Sequence, residues 1–509
     1  METACNFCLF HISLFPTLFL LGYDIGSSSV KVAVVNAANG AVMGTAQHPE
    51  TEMLISSPHP NWAEQNPEDW WEAVIEATQK LLANTRINPD HIAAIGIAYQ
   101  MHGLVVVDKQ GQVLRPAIIW CDSRAVEIGN QAFAALGADH CLETYLNSPG
   151  NFTASKLRWV KENEPDVFEQ IDKAMLPGDY IAYRMSGEIC TTVTGLSEGI
   201  LWDFKTHALA KSLLEYYEIP AAFIPGIKAC FSNQGALSPE AASALGLRAG
   251  IPIGYRAGDQ PNNALSLNVL RPGEVAATGG TSGVVYAVAR HPVFDPQQRV
   301  NSFAHVNYTS EKPLTGVLLC INGAGSLYRW VRENMNSKTL TYSEMEILAG
   351  NIPIGSDHLC ILPFGNGAER MLGNQNSGAQ IIGLQFNRHD QQHLFRAALE
   401  GIAFAFVYGM ETMRAQGIPI RSLRVGNDNL FQSNIFSDTI ATLLEVDIEV
   451  YSTNGAIGAA KAAGVSVGVF ESPEAAMAQN LSPLNRHLPS IEKLSDYKAA
   501  YSRWKGHLG

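Results

Sequence analysis

Apolar residues at the start of this chain fall in short runs bounded by turn chemistry, not in long helical stripes. Residues 21–35, LGYDIGSSSVKVAVV, read as a buried strand, a tight turn and a second strand in which Val30, Val32 and Val34 alternate with their neighbours. A turn at 36–40 leads to a third strand ending near His48. Asn66-Pro67-Glu68-Asp69 is a helix start: a capping Asn, Pro at the first position, then two acids at the positive end. The helix that follows should place Trp71, Val74, Ile75, Thr78, Leu81 and Leu82 on one face. Residues 92–97 form a buried strand ending in Tyr99-Gln100-Met101-His102-Gly103, and strands follow at 104–107 and 114–120. Asp122-Ser123-Arg124 should start the next helix, and 151–163 a loop with a short amphipathic helix whose Lys156 is expected in solvent. Ser238 caps another helix, before a strand that ends in Arg256-Ala-Gly-Asp-Gln260.

The pattern then starts again. Residues 275–288 repeat strand, Gly/Thr/Ser turn, strand, as in the opening hairpin. Two such hairpins, each opening about half the chain, suggest a duplicated core with a ligand between the halves. The second half continues with a strand near 317–320, a long helix after Asn322, an apolar run at 360–364, and a buried helix carrying Leu394, Ala397, Ala398, Ile402 and Ala403. A strand at 423–425 ends in Gly426-Asn427-Asp428-Asn429, and the small residues of 455–460 allow close helix packing.

Composition narrows the class. With 509 residues, 46% hydrophobic and 16% charged, the chain should hold more than one globular domain. Its formal net charge of −13 argues against nucleic acid as a main partner. Among eight cysteines only Cys5 and Cys8 form a C-x-x-C pair, so no zinc site is completed, and the others fit buried, reduced thiols in a cytoplasmic protein. Residues 1–20 are apolar but lack Lys and Arg, and His11, Ser13 and Pro16 interrupt them. They read as a non-native or disordered extension, not as a secretory signal or membrane span.

Three places carry chemistry. Asp24 ends a buried strand before a Gly/Ser turn whose amides and hydroxyls could cradle phosphate while the acid holds Mg²⁺; an ordinary hairpin is the alternative. Asp259, at a glycine-flanked strand end, is either a helix N-cap or a general base over a substrate hydroxyl. Gln100 and His102 sit where a strand end would face a ligand crevice, or His102 is simply packed.

Two longer patterns go further. One is Ala379-x-Ile381-x-Gly383-Leu384 followed by His393-Leu394-x-x-Ala397-Ala398-Leu399-Glu400. The other is Thr153-x-x-Lys156-Leu157-x-Trp159-Val160-x-Glu162-Asn163, with an unusual Asn151 at its first position. With the stretches at 61–67, 96–103, 115–120 and 176–180, they resemble the FGGY carbohydrate kinases over nearly everything from Leu21 onward. The resemblance implies an α/β fold of two actin-like (ribonuclease-H-like) domains with a catalytic cleft between them. The expected units are a sugar-binding domain at 21–265, a nucleotide-binding domain at 266–480 and a helical tail at 481–509. It also implies ATP- and Mg²⁺-dependent phosphorylation of a ketopentose, D-xylulose first, with ribulose, a deoxyketose or a polyol as alternatives. A non-catalytic sugar-binding regulator is the rival from another class. Partners would be the sugar and ATP, with no nucleic acid and no membrane, and room for a homodimer. By resemblance, Asp259 is the catalytic base; Gln100, Met101, His102, Asp259 and Gln260 meet the sugar; Asp24 and Asp259 are metal-associated. Ser27, Ser28, Lys31, Gly280, Thr281, Ser282, Gly426 and Asn427 fall on the nucleotide side. This chain departs from the family in Asp259-Gln260 for Asp-Asn, in Gly426-Asn427-Asp428-Asn429 for Gly-Gly-Gly-Ala, and in Gly367-Ala-Glu-Arg-Met371 for Gly-Glu-Arg-Thr-Pro.

Overall fold

A computed structural model describes residues 17–335, 338–427 and 429–508. Most of the expected extension, with Cys5 and Cys8, lies outside these residues, as does Asp428 of the expected nucleotide turn. The first strand, β1, spans Phe19–Ile25, so the fold reaches two residues into the segment set aside as an extension. Phe19 and Leu20 belong to it because they pair with Asn36 and Val35 and are buried.

β1 forms an antiparallel hairpin with β2 (Val30–Asn36), which pairs with β3 (Val42–His48). On the other side β1 runs parallel to β4 (Ile92–Tyr99), and β4 to β5 (Ile253–Gly258). The sheet order is β3-β2-β1-β4-β5. Helix α1 (Pro67–Asn84) covers one face, with the Asn66 side chain accepting from the Glu68 N–H at 3.2 Å and Trp70, Trp71, Val74 and Leu81 buried. Helices α2 (Thr153–Asn163) and α3 (Val193–Glu198) belong to an inserted layer, and α4 (Asp259–Ser266) leaves the end of β5.

The second sheet repeats the plan. A hairpin of β6 (Glu274–Gly279) and β7 (Gly283–Ala289) is flanked by β8 (Asn301–Ala304) and β9 (Thr315–Ile321). Parallel strands β10 (Ser422–Gly426) and β11 (Ile448–Tyr451) complete the core, and β12 (Asn485–His487) closes the edge. The order is β8-β9-β7-β6-β10-β11-β12, so β9-β7-β6-β10-β11 matches the first sheet strand for strand. The duplication expected from the two hairpins is therefore present. Helices α5 (Ala324–Asn334), α6 (Gln391–Ala415) and α7 (Asn434–Leu444) pack into the second core.

Two boundaries differ from expectation. Helix α8 (Gly455–Ser466) belongs to the second half by sequence but lies on the first sheet, against β1, β4 and β5. Its small residues permit this: a Cβ at Gly22 or Gly96 would collide with the backbone of Ala456, Ala459 and Ala460. The expected tail is no appendage, since β12 extends the second sheet and α9 (Leu494–Lys505) sinks Trp504 into the core, where its Nε1 donates to the Ile361 carbonyl at 2.9 Å.

Asp122–Arg124 forms a turn, and the helix begins only at Val126, because the Asp122 carboxylate is taken by the Ala63 N–H (2.6 Å) and by Arg124. Cys141, Cys190 and Cys360 are buried thiols as expected, whereas Cys121 and Cys320 are exposed. No helix of the described residues is long and apolar enough to cross a membrane.

Candidate active site

The carboxyl ends of β1, β4 and β5 lie level with one another and meet at one floor. Asp24, one residue from the end of β1, is in register with Ala98 on β4 and Lys31 on β2. Tyr99 is in register with Gly258, the residue before Asp259. Asp259 opens α4, but the capping position is Gly258, which makes no side-chain cap. The N-cap reading of Asp259 therefore gives way. Its carboxyl accepts from the backbone N–H and the side-chain amide of Gln260, so the longer amide at that position reaches back to the acid. Burial, and then the negative charge of Asp24, pushes the Asp259 carboxyl up to about 7. Asp24 is also raised by burial, partly offset by the Lys31 ammonium. A carboxylate tuned near neutrality suits proton abstraction from a hydroxyl.

His102 stands opposite, in a left-handed backbone conformation (φ 62°). Its Nδ1 donates to the Glu198 carbonyl at the end of α3 (2.9 Å), and its ring packs edge-on against Phe152 and tilted against Phe303, at 4.8 and 5.3 Å between centroids. Burial drives its pKa down to about 3, so the ring is neutral and Nε2 is left as an acceptor. Met101 is buried beneath it against Gly258, where a Cβ would come within 2.5 Å of the Met101 Cγ.

Lys156 is not in solvent. It is fully buried, because α2 is covered on both faces, and its ammonium donates to the carbonyls of His102 and Ile119, each at 2.9 Å. Burial lowers its pKa to about 7 against the pull of the Asp122 carboxylate. It fixes the backbone that carries His102. Asn151, at the first position of the same pattern, donates from its side chain to the Asp122 carbonyl.

The second hairpin borders a cavity of about 730 Å³ lined by Gly280, Thr281, Tyr328, Tyr342, Glu346 and Asn427 among others. Tyr328 and Tyr342 stack at 5.6 Å with 25° between their planes. Glu346 accepts from Ser433 Oγ (2.6 Å) and the Ile435 N–H (2.9 Å), which ties the cavity wall to the start of α7. The hairpin is stitched to the start of α5, the Gly325 and Ser326 N–H groups donating to the Gly280 and Thr281 carbonyls at 3.0 and 3.1 Å.

Comparison with known sequences agrees with this arrangement. The profile described as "FGGY family of carbohydrate kinases, N-terminal domain" matches residues 19–266, and the C-terminal domain of the same family matches 275–467. The xylulose kinase of Escherichia coli K12 is 30% identical over 485 residues, covering 94% of this chain and 96% of that protein. The chain belongs to the FGGY family of carbohydrate kinases. A solved xyloylose kinase from Brucella ovis is 27% identical, with a TM-score of 0.85 over 96% of this chain and 98% of its own. A Plasmodium falciparum glycerol kinase with ADP shares the fold, with a TM-score of 0.85 at 21% identity over 96% of this chain and 97% of its own.

Within this family fold the expected residues divide. Asp24, Met101, His102, Asp259 and Gln260 gather around the floor of the first half. Gln100 turns to Gln65 (3.4 Å), and Gln65 in turn donates to the Ser27 carbonyl at 2.7 Å, so Gln100 braces the hairpin through Gln65. Ser27 Oγ accepts from Trp120 Nε1 at 3.2 Å, and the Ser28 carbonyl takes the Met53 N–H at 2.8 Å. Lys31 stays beside Asp24 on the first sheet. Gly280, Thr281 and Asn427 line the second-half cavity; Gly426 ends β10 just below it, and Ser282 is exposed at the hairpin tip. Sequence reasoning missed Glu198, Tyr328, Tyr342 and Glu346. Only the amphipathic stripe of α5 hinted at the tyrosine wall.

Proposed function

We propose that this protein transfers the γ-phosphoryl group of ATP to a hydroxyl of D-xylulose, forming D-xylulose 5-phosphate. The observation that carries the reading is Asp259, a half-buried acid raised towards neutrality on the floor of the first half, while the second half offers a nucleotide-sized cavity behind a Gly/Thr hairpin. The choice of sugar rests on the 30% identity to the Escherichia coli xylulose kinase over 94% of the chain.

In this reading Asp259 takes the proton of the attacking hydroxyl, and Gln260 keeps the carboxyl turned to the cleft. The neutral His102 accepts a sugar hydroxyl at Nε2 because its Nδ1 is committed to Glu198. The second hairpin positions the phosphate chain, and the tyrosine wall offers a flat apolar surface for the base. The donor set suits Mg²⁺ carried on ATP: Asp24 and Asp259 supply two carboxylates, while no group of three or more His, Cys, Asp or Glu among the described residues forms an all-protein cage. Bound there, the ion would neutralise phosphate charge. The setting proposed is the cytoplasm, without nucleic-acid partners, and light scattering of the purified protein decides whether it is a homodimer.

Coupled ADP release across a panel of ketoses and polyols tests the proposal. Strong turnover with D-xylulose is expected. Preference for another sugar overturns the substrate, and binding of sugars without turnover on any of them overturns the kinase.

A further inference from the structure

The turn at residues 365–372 has no part in the roles assigned so far. Its anchoring is unusual. Glu369 is fully buried and accepts from the Asn322 N–H at 3.0 and 3.3 Å, just ahead of α5. Met371 is buried in the second core. Between these two anchors, Arg370 begins the short turn Arg370–Leu372, and its side chain makes no hydrogen bond or ion pair among the described residues. Its charge acts on His102 of the first half and on the Cys320 thiol at the end of β9, and Cys320 in turn feels Asp259. The turn that carries Arg370 is thus pinned beside the end of β9 and the residues leading into α5, which also hold the second hairpin. Other cations here are already committed: Lys156 to two carbonyls, Arg124 to Asp122 and Glu64.

An arginine keeps its charge, and a half-buried cation without a counter-anion among the described residues is costly unless a ligand supplies one. The planar fork matches phosphoryl oxygens, and the segment that holds Glu369 is the one stitched to Gly280 and Thr281. Resting on the kinase reading above, we propose that Arg370 is a catalytic residue that binds the phosphoryl group during its transfer. The sugar oxygen bonds to the γ-phosphorus, the bond to the β–γ bridging oxygen breaks, the hydroxyl proton passes to Asp259, and ADP leaves. Arg370 meets the charge spread over the three oxygens of the group in flight, where one lost donor typically costs about 10²–10³ in rate.

The test is Arg370→Met beside Arg370→Lys and Arg370→Ala. In Arg370→Met kcat should fall at least about 10²-fold with the KM for sugar within about threefold of wild type. Arg370→Lys should recover part of the loss, and methylguanidinium should restore turnover to Arg370→Ala. A second arm needs no sugar: calorimetric binding of ADP with aluminium fluoride should be lost in Arg370→Met while ADP alone binds as before. Unchanged kcat, a change confined to sugar KM, or equal loss of ADP alone overturns the proposal. If wild type releases no ADP with any sugar, the kinase reading fails by itself, and the fluoride arm still decides Arg370.

Discussion

The two hairpins share a topology and differ in what surrounds them. In the first, the penultimate residue of the strand is Asp24; in the second, the corresponding residue is Thr278. The first turn is held by side chains, Ser27 by Gln65 and Trp120, and sits beside two acids. The second turn is held by the backbone of α5 and opens on a cavity of about 730 Å³. One scaffold thus presents an acidic floor in the first half and a cavity behind a Gly/Thr turn in the second. The two sheets share their strand order and differ in the side chains that surround each turn.

Substitutions in each half should therefore fail in different ways. Asp259→Asn should lower kcat by about 10²–10⁴-fold while sugar binding, followed by calorimetry, stays within a few-fold; near-normal turnover would break the division. Lys156→Met leaves two buried carbonyls without their donor and should cost about 1–3 kcal/mol in urea unfolding. Because folding depresses the Lys156 pKa to about 7, the unfolded chain binds more protons above that pH, and stability should rise from about pH 7 towards pH 10. That slope should flatten in Lys156→Met. Tyr342→Ala, on the wall of the second-half cavity, should raise the KM for ATP several-fold and leave the sugar KM alone. A joint rise in both constants would mean that the halves are not separable. The smallest effect is a shift of pH profile. With Asp259 raised to about 7 by burial and then by the Asp24 charge, kcat/KM should fall below neutrality, and in Asp24→Asn the residual activity should keep its acidic limb at somewhat lower pH, since the smaller of the two causes is gone.

Much of this arrangement was legible in the sequence, and the reasons for the rest are physical. Strand–turn–strand patterns are local, so both hairpins, the Asn66 cap and the strand ends at Tyr99 and Gly258 could be read from neighbouring residues. The small-residue run at 455–460 announced close packing, but not that the partner was the first sheet. That contact joins Gly22 to Ala456 and Gly96 to Ala459, hundreds of positions apart in the chain, and no local pattern encodes it. Lys156 misled because periodicity shows one apolar face and cannot show a second layer of protein over the other. Tyr342 and Glu346 were invisible for a similar reason: their helix has almost no amphipathic character, and they become a wall only when α7 packs beside them.

The position of α8 has a consequence for biosynthesis. The first sheet is complete in sequence by Gly258, yet the surface around Gly22 and Gly96 stays uncovered until the helix ending at Ser466 has been made. A nascent chain carrying only the first half would expose that grooved face to solvent. The amino-terminal unit is thus incomplete without its last helix, and it should not be obtained as a stable fragment cut at residue 266.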